Sequence, residues 1–188
     1  MKLAPHTEIS RPLSAIEYFH ASTGASAHTL EPAREVIFCV EGAGALPEAR
    51  WRDALARAAA ANPGFRLRIA GRRGEARFES DGATTPLRVV RNSTWDGLSQ
   101  DGAGFLRATP LPYATGPMSE VIVEELAGPD PRSRIFLRAS HAAMDGLGVM
   151  HGLAEIFRAL RGEPPLGSNA AFSDADLMRH VGATRSTS

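Results

Sequence analysis

The chain has 188 residues, 43% hydrophobic and 22% charged, with 21 basic and 21 acidic side chains that cancel to a formal net charge of zero. At this length roughly 70% of the surface exposed by the unfolded chain is buried on folding, so the core needs neither metal nor disulfide, and the single cysteine, Cys39, excludes an internal disulfide. Zero net charge argues against nucleic acid or an anionic membrane as the main partner, and no apolar run approaches the ~18 residues of a membrane span.

The first local signal is Leu13-Ser14-Ala15-Ile16-Glu17-Tyr18, where Ser14 can cap a helix, Glu17 can reach back to it and Leu13 can staple onto Tyr18. The segment before it, Met1 to Pro12, lacks the apolar stretch of a secretory signal, so a cytoplasmic protein is expected. Glu35 to Glu41 is rich in β-branched and aromatic residues and bounded by Gly42 and Gly44, which predicts a strand covered on both faces. Pro47 suits a first helical turn, and Trp51, Leu55, Ala58 and Ala59 recur at helical spacing until Asn62-Pro63-Gly64 ends the run. Phe65 to Ile69 alternates as a strand, apolar on one side and carrying Arg66 and Arg68 on the other. Glu75 to Ser80 and Pro86 to Val90, separated by Asp81-Gly82, read as a hairpin or as two edge strands.

Residues 91 to 118 are punctuated by glycine and proline, with Trp95 to Leu106 weakly helical, and lead into a strand from Met118 to Leu126. Gly128-Pro129-Asp130-Pro131 turns the chain into a further strand, Arg134 to Ser140. A helix follows from about Leu147 to Arg161, with Met150, Leu153, Phe157 and Leu160 as its apolar stripe and Gly162 and Pro164-Pro165 as its stop. Leu166 to Ser188 reads as a polar tail with one helical turn opening at Ser173. There is no internal repeat.

The stretch that carries chemistry is Ser140-His141-Ala142-Ala143-Met144-Asp145-Gly146, because it joins the end of a strand to the start of a helix, where functional groups are held rigidly. Alternation puts His141 on the side of Ile135, Leu137 and Ala139, a largely apolar face, and burial favours the neutral imidazole. A neutral imidazole on fixed backbone can take a proton from a hydroxyl, thiol or amine, the work of a general base in acyl transfer. Asp145 can bond the local backbone or pair with an arginine, and Gly146 can supply the backbone angles of a tight turn. The same spacing also fits a satisfied core histidine followed by a plain Asp-Gly turn.

These residues resemble the His-His-x-x-x-Asp-Gly signature of the condensation-domain superfamily of acyltransferases, which includes nonribosomal peptide condensation domains and is similar to chloramphenicol acetyltransferase. The resemblance matches His141 to the family's catalytic second histidine, and Asp145 and Gly146 to its structural pair; Ser140 stands where the leading histidine would be. Leu13 to Phe19 looks like the family's opening Leu-Ser motif, and Asn62 to Ile69 is similar to its His-Pro-x-Leu-Arg-x-Arg-Phe segment. In the family an arginine of that segment pairs with the signature aspartate, which makes Arg66, or failing it Arg68, the expected partner of Asp145. The resemblance covers residues 12–165, a single N-terminal lobe, with 166–188 as a polar tail or a linker to a second lobe. In the family two such lobes face each other across a tunnel.

Other chemistries lack their residues. No Gly-x-Ser-x-Gly elbow occurs, and Ser140 and His141, adjacent on a strand, point to opposite faces. His6, His20, His28, His151 and His180 show no ligand spacing, so no metal is expected, and His151 is assigned to the polar side of its helix. No phosphate-binding glycine loop appears. Cys39 is expected to be a small buried apolar residue with a raised pKa, and Arg72-Arg73 a solvated hairpin tip rather than a phosphate contact.

The expected fold is α/β, a mixed sheet with helices packed on one face. The expected activity, through the resemblance, is acyl transfer in nonribosomal peptide or natural product biosynthesis. The donor would be a coenzyme A or phosphopantetheinyl carrier-protein thioester, used as substrate with no permanently bound cofactor, and the acceptor an amine or hydroxyl. His141 would serve as base, and Asp145, Gly146 and Arg66 would support it. A second lobe, a homo-oligomer or a carrier protein is the expected partner. The alternative is a non-catalytic half-domain that binds a carrier protein or scaffolds an assembly.

Overall fold

The computed structural model describes residues 8–25, 34–72, 74–80, 84–91, 93–168 and 172–185. Its centre is a four-stranded mixed sheet in the order β2 (Glu35–Ala43), β7 (Arg132–Ser140), β6 (Ser119–Leu126), β5 (Leu87–Arg91). β7 is antiparallel to both neighbours, with Val36 opposite Ala139 and Val121 opposite Leu137, while β5 runs parallel to β6. A smaller antiparallel sheet joins β1 (Ser10–Pro12), β4 (Arg77–Ser80) and β3 (Leu67–Ala70).

Alternation along β7 builds two different surfaces. Ile135, Leu137 and Ala139, with Val121 and Val123 of β6, pack against Trp51, Leu55 and Ala58 of α2 (Glu48–Ala61) and Val149, Leu153 and Ile156 of α3 (Gly146–Leu160). Full burial of each valine, leucine or isoleucine among them is worth about 1.5–3 kcal/mol. The intervening residues face a layer of Trp95, Phe105 and Leu106, where Phe136 meets Phe105 edge to face at 5.9 Å between ring centres. Two ion-pair chains cross this face: Arg138 joins Glu35 and Glu120, all three side chains buried, and Arg134 joins buried Glu124 to the exposed Glu41. Helices thus cover one face of the main sheet, as expected, and a short aromatic layer covers the other.

Several elements depart from the sequence reading. Phe65 and Arg66 belong to a 3-10 turn, Pro63–Arg66, because Pro63 opens it and Phe65 N–H bonds Asn62 O at 3.1 Å; the strand starts at Leu67. β4 and β5 form no hairpin with each other but lie in different sheets, the Asp81-Gly82 turn lying outside the described residues. Between Trp95 and Leu106 only Ala103–Arg107 winds, as 3-10, because Gly97 and Gly102 take positive φ and Asp96 accepts the N–H groups of Leu98 and Ser99. Cys39 is exposed, since β2 is an edge strand; partial burial of its thiol, opposed by Arg134, still pushes it up to about 11, so it stays a thiol at neutral pH.

α1 (Ala15–Ala25) opens with the expected capping box: Ser14 N–H donates to Glu17 Oε2 at 2.8 Å and Glu17 N–H to Ser14 Oγ at 3.4 Å. The segment after α3 is tied down rather than loose. Leu166 and Gly167 N–H bond Glu155, Ser168 N–H bonds Ala61 O, and α4 (Asp174–Arg185) starts on a second box made by Ser173 and Asp176.

Candidate functional site

At its C-terminal end β7 stops at Ser140, and Ala143 and Met144 N–H both return to Ser140 O, at 2.9 and 3.0 Å, making a tight turn. Ser140 is fully buried, its hydroxyl donating to Tyr113 Oη at 2.9 Å on the sheet face away from His141, so the two residues do not meet. His141 is anchored by its N–H to Arg34 O at 2.8 Å, and its half-buried side chain lines an open cleft of about 440 Å³. The cleft is bounded by α1, the Asn62–Phe65 connection, the 141–145 turn, the first turns of α3, and the chain at Ser168, Phe172 and Asp174.

Of the two roles open to Asp145 the structure shows the local backbone bond and not the arginine pair, and Gly146 does not take the angles of a tight turn. Asp145 is exposed and caps α3, its Oδ1 accepting Gly148 N–H at 2.7 Å and its carbonyl accepting Val149 N–H at 3.0 Å. No ion pair joins it to Arg66 or Arg68 among the described residues. Arg66 is buried and its Nε–H donates to Ala59 O at 2.9 Å, because the 3-10 turn carries it toward the end of α2. Arg68, on β3, reaches across to Glu79 on β4 at 2.7 Å. Gly146 opens α3 and is absent from the glycines with positive φ; a Cβ there would stand 3.7 Å from Phe38, an ordinary contact. What the loop needs from this pair is the cap, not a strained turn.

Two histidines to which the sequence reading gave no role share the cleft, and His151, expected on the polar side of its helix, is half-buried against it. His20, from α1, stacks on His141 with ring centres 4.2 Å apart and planes 9° from parallel. Burial, the His141 ring and Arg34 together lower its pKa from 6.5, which leaves His20 neutral at physiological pH. His151, one and a half turns into α3, is half-buried, and its Nε2 lies 3.2 Å from Asn62 Oδ1. Helical periodicity from the Ser14 cap and from Asp145 puts both on cleft-facing turns, but nothing in the sequence shows that α1 crosses the end of β7. Among the described residues no cluster of three or more His, Cys, Asp or Glu is placed to hold a metal ion, and no helix is long and apolar enough to cross a membrane. His6 and His28 lie outside the described residues.

No family model matches the chain, and no curated protein is similar to it. Solved structures are similar in fold. The starter condensation domain of rhizomide synthetase RzmA, in a mutant bound to C8-CoA, superposes with a TM-score of 0.70 at 15% identity over 95% of this chain and 44% of that one. The tallysomycin biosynthesis protein TlmII gives 0.66 at 14% identity over 94% and 47%, and the X-domain from teicoplanin biosynthesis gives 0.67 at 17% over 93% and 39%. The chain therefore has a condensation-domain fold and spans less than half the length of each of these structures, the share of a single lobe.

Proposed function

We propose that this chain is one lobe of an acyltransferase that moves an acyl group from a coenzyme A or carrier-protein thioester to an amine or hydroxyl acceptor. The observation that carries the reading is the place of His141: at the end of a central strand, backbone-anchored, stacked on a second imidazole, and open to a cleft rather than sealed in the core. In the step proposed, the acceptor heteroatom attacks the thioester carbonyl and gives its proton to the His141 ring. Collapse of the tetrahedral oxyanion breaks the carbon–sulfur bond, and the proton passes from His141 to the leaving thiolate. Asp145 supports the site by capping α3, which fixes the turn that carries His141. The C8-CoA complex of the RzmA domain supports an acyl-coenzyme A donor.

The test is acyl transfer from octanoyl-coenzyme A by the parent chain and by His141→Ala, after size exclusion with light scattering has fixed the assembly present. A general base contributes about 10²–10⁴-fold, so the variant should lose that factor with its assembly unchanged. The second reading, a non-catalytic half-domain that binds a carrier protein, is favoured by one observation, that the chain spans less than half of the structures it resembles. It predicts no transfer by the parent and carrier-protein binding that His141→Ala leaves intact.

A further inference from the structure

Asn62 closes α2 with a side chain 3% exposed and fully committed. Its amide Nδ2 donates to Ala58 O at 2.9 Å and to Glu155 Oε2 at 3.1 Å, which leaves Oδ1 as the group facing His151 Nε2 at 3.2 Å. The reverse amide orientation would set Oδ1 against a carbonyl and a carboxylate oxygen, both acceptors, so it is excluded by chemistry. An Oδ1 acceptor needs a donor, so Nε2 carries the proton and the lone pair of the neutral ring stands on Nδ1. Glu155 anchors the chain of bonds: it is 0% exposed and also accepts the N–H groups of Leu166 at 3.1 Å and Gly167 at 2.9 Å. The cost of burying this carboxylate is met by three donors drawn from two segments, the end of α2 and the chain just after α3. The His151 ring lines the same cleft as His141.

We propose that His151 contacts the acceptor substrate, offering Nδ1 as a hydrogen-bond acceptor, and that Asn62 and Glu155 are positioning residues that hold its tautomer. The role rests on the acyl-transfer reading and narrows its substrate class to a primary amine. Such an amine carries two N–H bonds: His141 takes the proton of one, and His151 holds the other, so the nitrogen lone pair is aimed at the thioester carbon. A hydroxyl has a single O–H, which His141 alone consumes, and gains nothing from a second acceptor.

The experiment compares hexylamine and 1-hexanol as acceptors for octanoyl-coenzyme A, with the full chain in its active assembly. His151→Leu is expected to lower kcat/KM for hexylamine about tenfold, the worth of one hydrogen bond near 1.4 kcal/mol, with less than a twofold change for 1-hexanol. His151→Gln, which keeps an acceptor, is expected to recover part of the loss, and Asn62→Leu to reproduce it. An equal fall for both acceptors, or none for hexylamine, overturns the proposal. Should the parent transfer to neither, the acyl-transfer reading fails, and nitrogen-15 NMR of the histidine rings decides the rest. A single Nε2-protonated tautomer at His151, with Nδ1 shifting on addition of hexylamine, sustains the proposal; an Nδ1-protonated or averaging ring overturns it.

Discussion

The stack of His20 on His141 joins two titratable rings whose centres are 4.2 Å apart, and a proton on one raises the cost of a proton on the other. Burial leads the causes that lower the His20 pKa, with His141 next. Replacing His141 by Phe keeps a stacked ring and removes the charge, so the His20 pKa should move up toward 6.5. An NMR titration of the His20 ring checks this, and an unchanged value would show that burial and Arg34 set it without His141. Asp145 makes a second case. As an N-cap it should cost about 1 kcal/mol when replaced by Ala, read in urea unfolding. Because Arg66 bonds Ala59 O and forms no pair with Asp145, the losses in Asp145→Ala and Arg66→Ala should add within about 0.5 kcal/mol. A larger coupling would restore the pairing that the signature implies. That His141 sits at a strand-to-helix junction, and that Asp145 can bond the backbone next to it, were legible from that junction alone. The partner of Asp145 was not, since a 3-10 turn at Pro63–Arg66 redirects the arginine, and no local pattern announces that turn's handoff to Leu67.

The helices are placed by a few close approaches and one buried carboxylate. Gly152 lets α3 press on the sheet: a Cβ there would lie 2.7 Å from Leu137 Cδ2 and 3.0 Å from Phe65 Cζ, both on fully buried side chains. Gly152→Ala gains about 1 kcal/mol of helix propensity and loses about 1–3 to overpacking, so a net loss of up to about 2 kcal/mol is expected in denaturant unfolding. Glu155 ties α3 to α2 and to the chain beyond α3. Burial pushes its carboxyl up, but Gly167 N–H, the Asn62 amide, Leu166 N–H and the nearby His151 outweigh it and leave the pKa below its ordinary 4.5. The folded state thus holds the proton less tightly than the unfolded chain. Its contribution is present above about pH 4.5 and is lost as pH falls from there through the lowered value. Unfolding measured against pH should show this acid loss in the parent and a shallower slope in Glu155→Gln. Most strands and the three helices α1, α2 and α3 were legible, because their caps, periodicity and glycine stops are local. The separation of β4 from β5 was not: a parallel pairing of β5 with β6 depends on a partner more than thirty residues away.

At the scale of the whole molecule, three helices repeat one pattern. α1 exposes Ile16 and Phe19, α3 exposes Leu147 and Met150, and α4 exposes the adjacent Leu177 and Met178 with Val181 four and three residues on, so that each helix carries an apolar stripe on one face. Phe172, 61% exposed, and Ile16 belong to the cleft that holds His141, so part of this apolar surface stands at its mouth. Stripes of this kind normally cover a core, and among the described residues nothing covers them, which fits a fold spanning less than half of its structural neighbours. If a second lobe or second copy closes the cleft, Leu177→Glu with Met178→Glu should leave folding nearly unchanged, within about 0.5 kcal/mol for each exposed site. The pair of charges should nevertheless abolish association in light scattering and reduce acyl transfer along with it. A monomeric parent whose activity survives both substitutions would mean that this face has no partner and that the cleft works open.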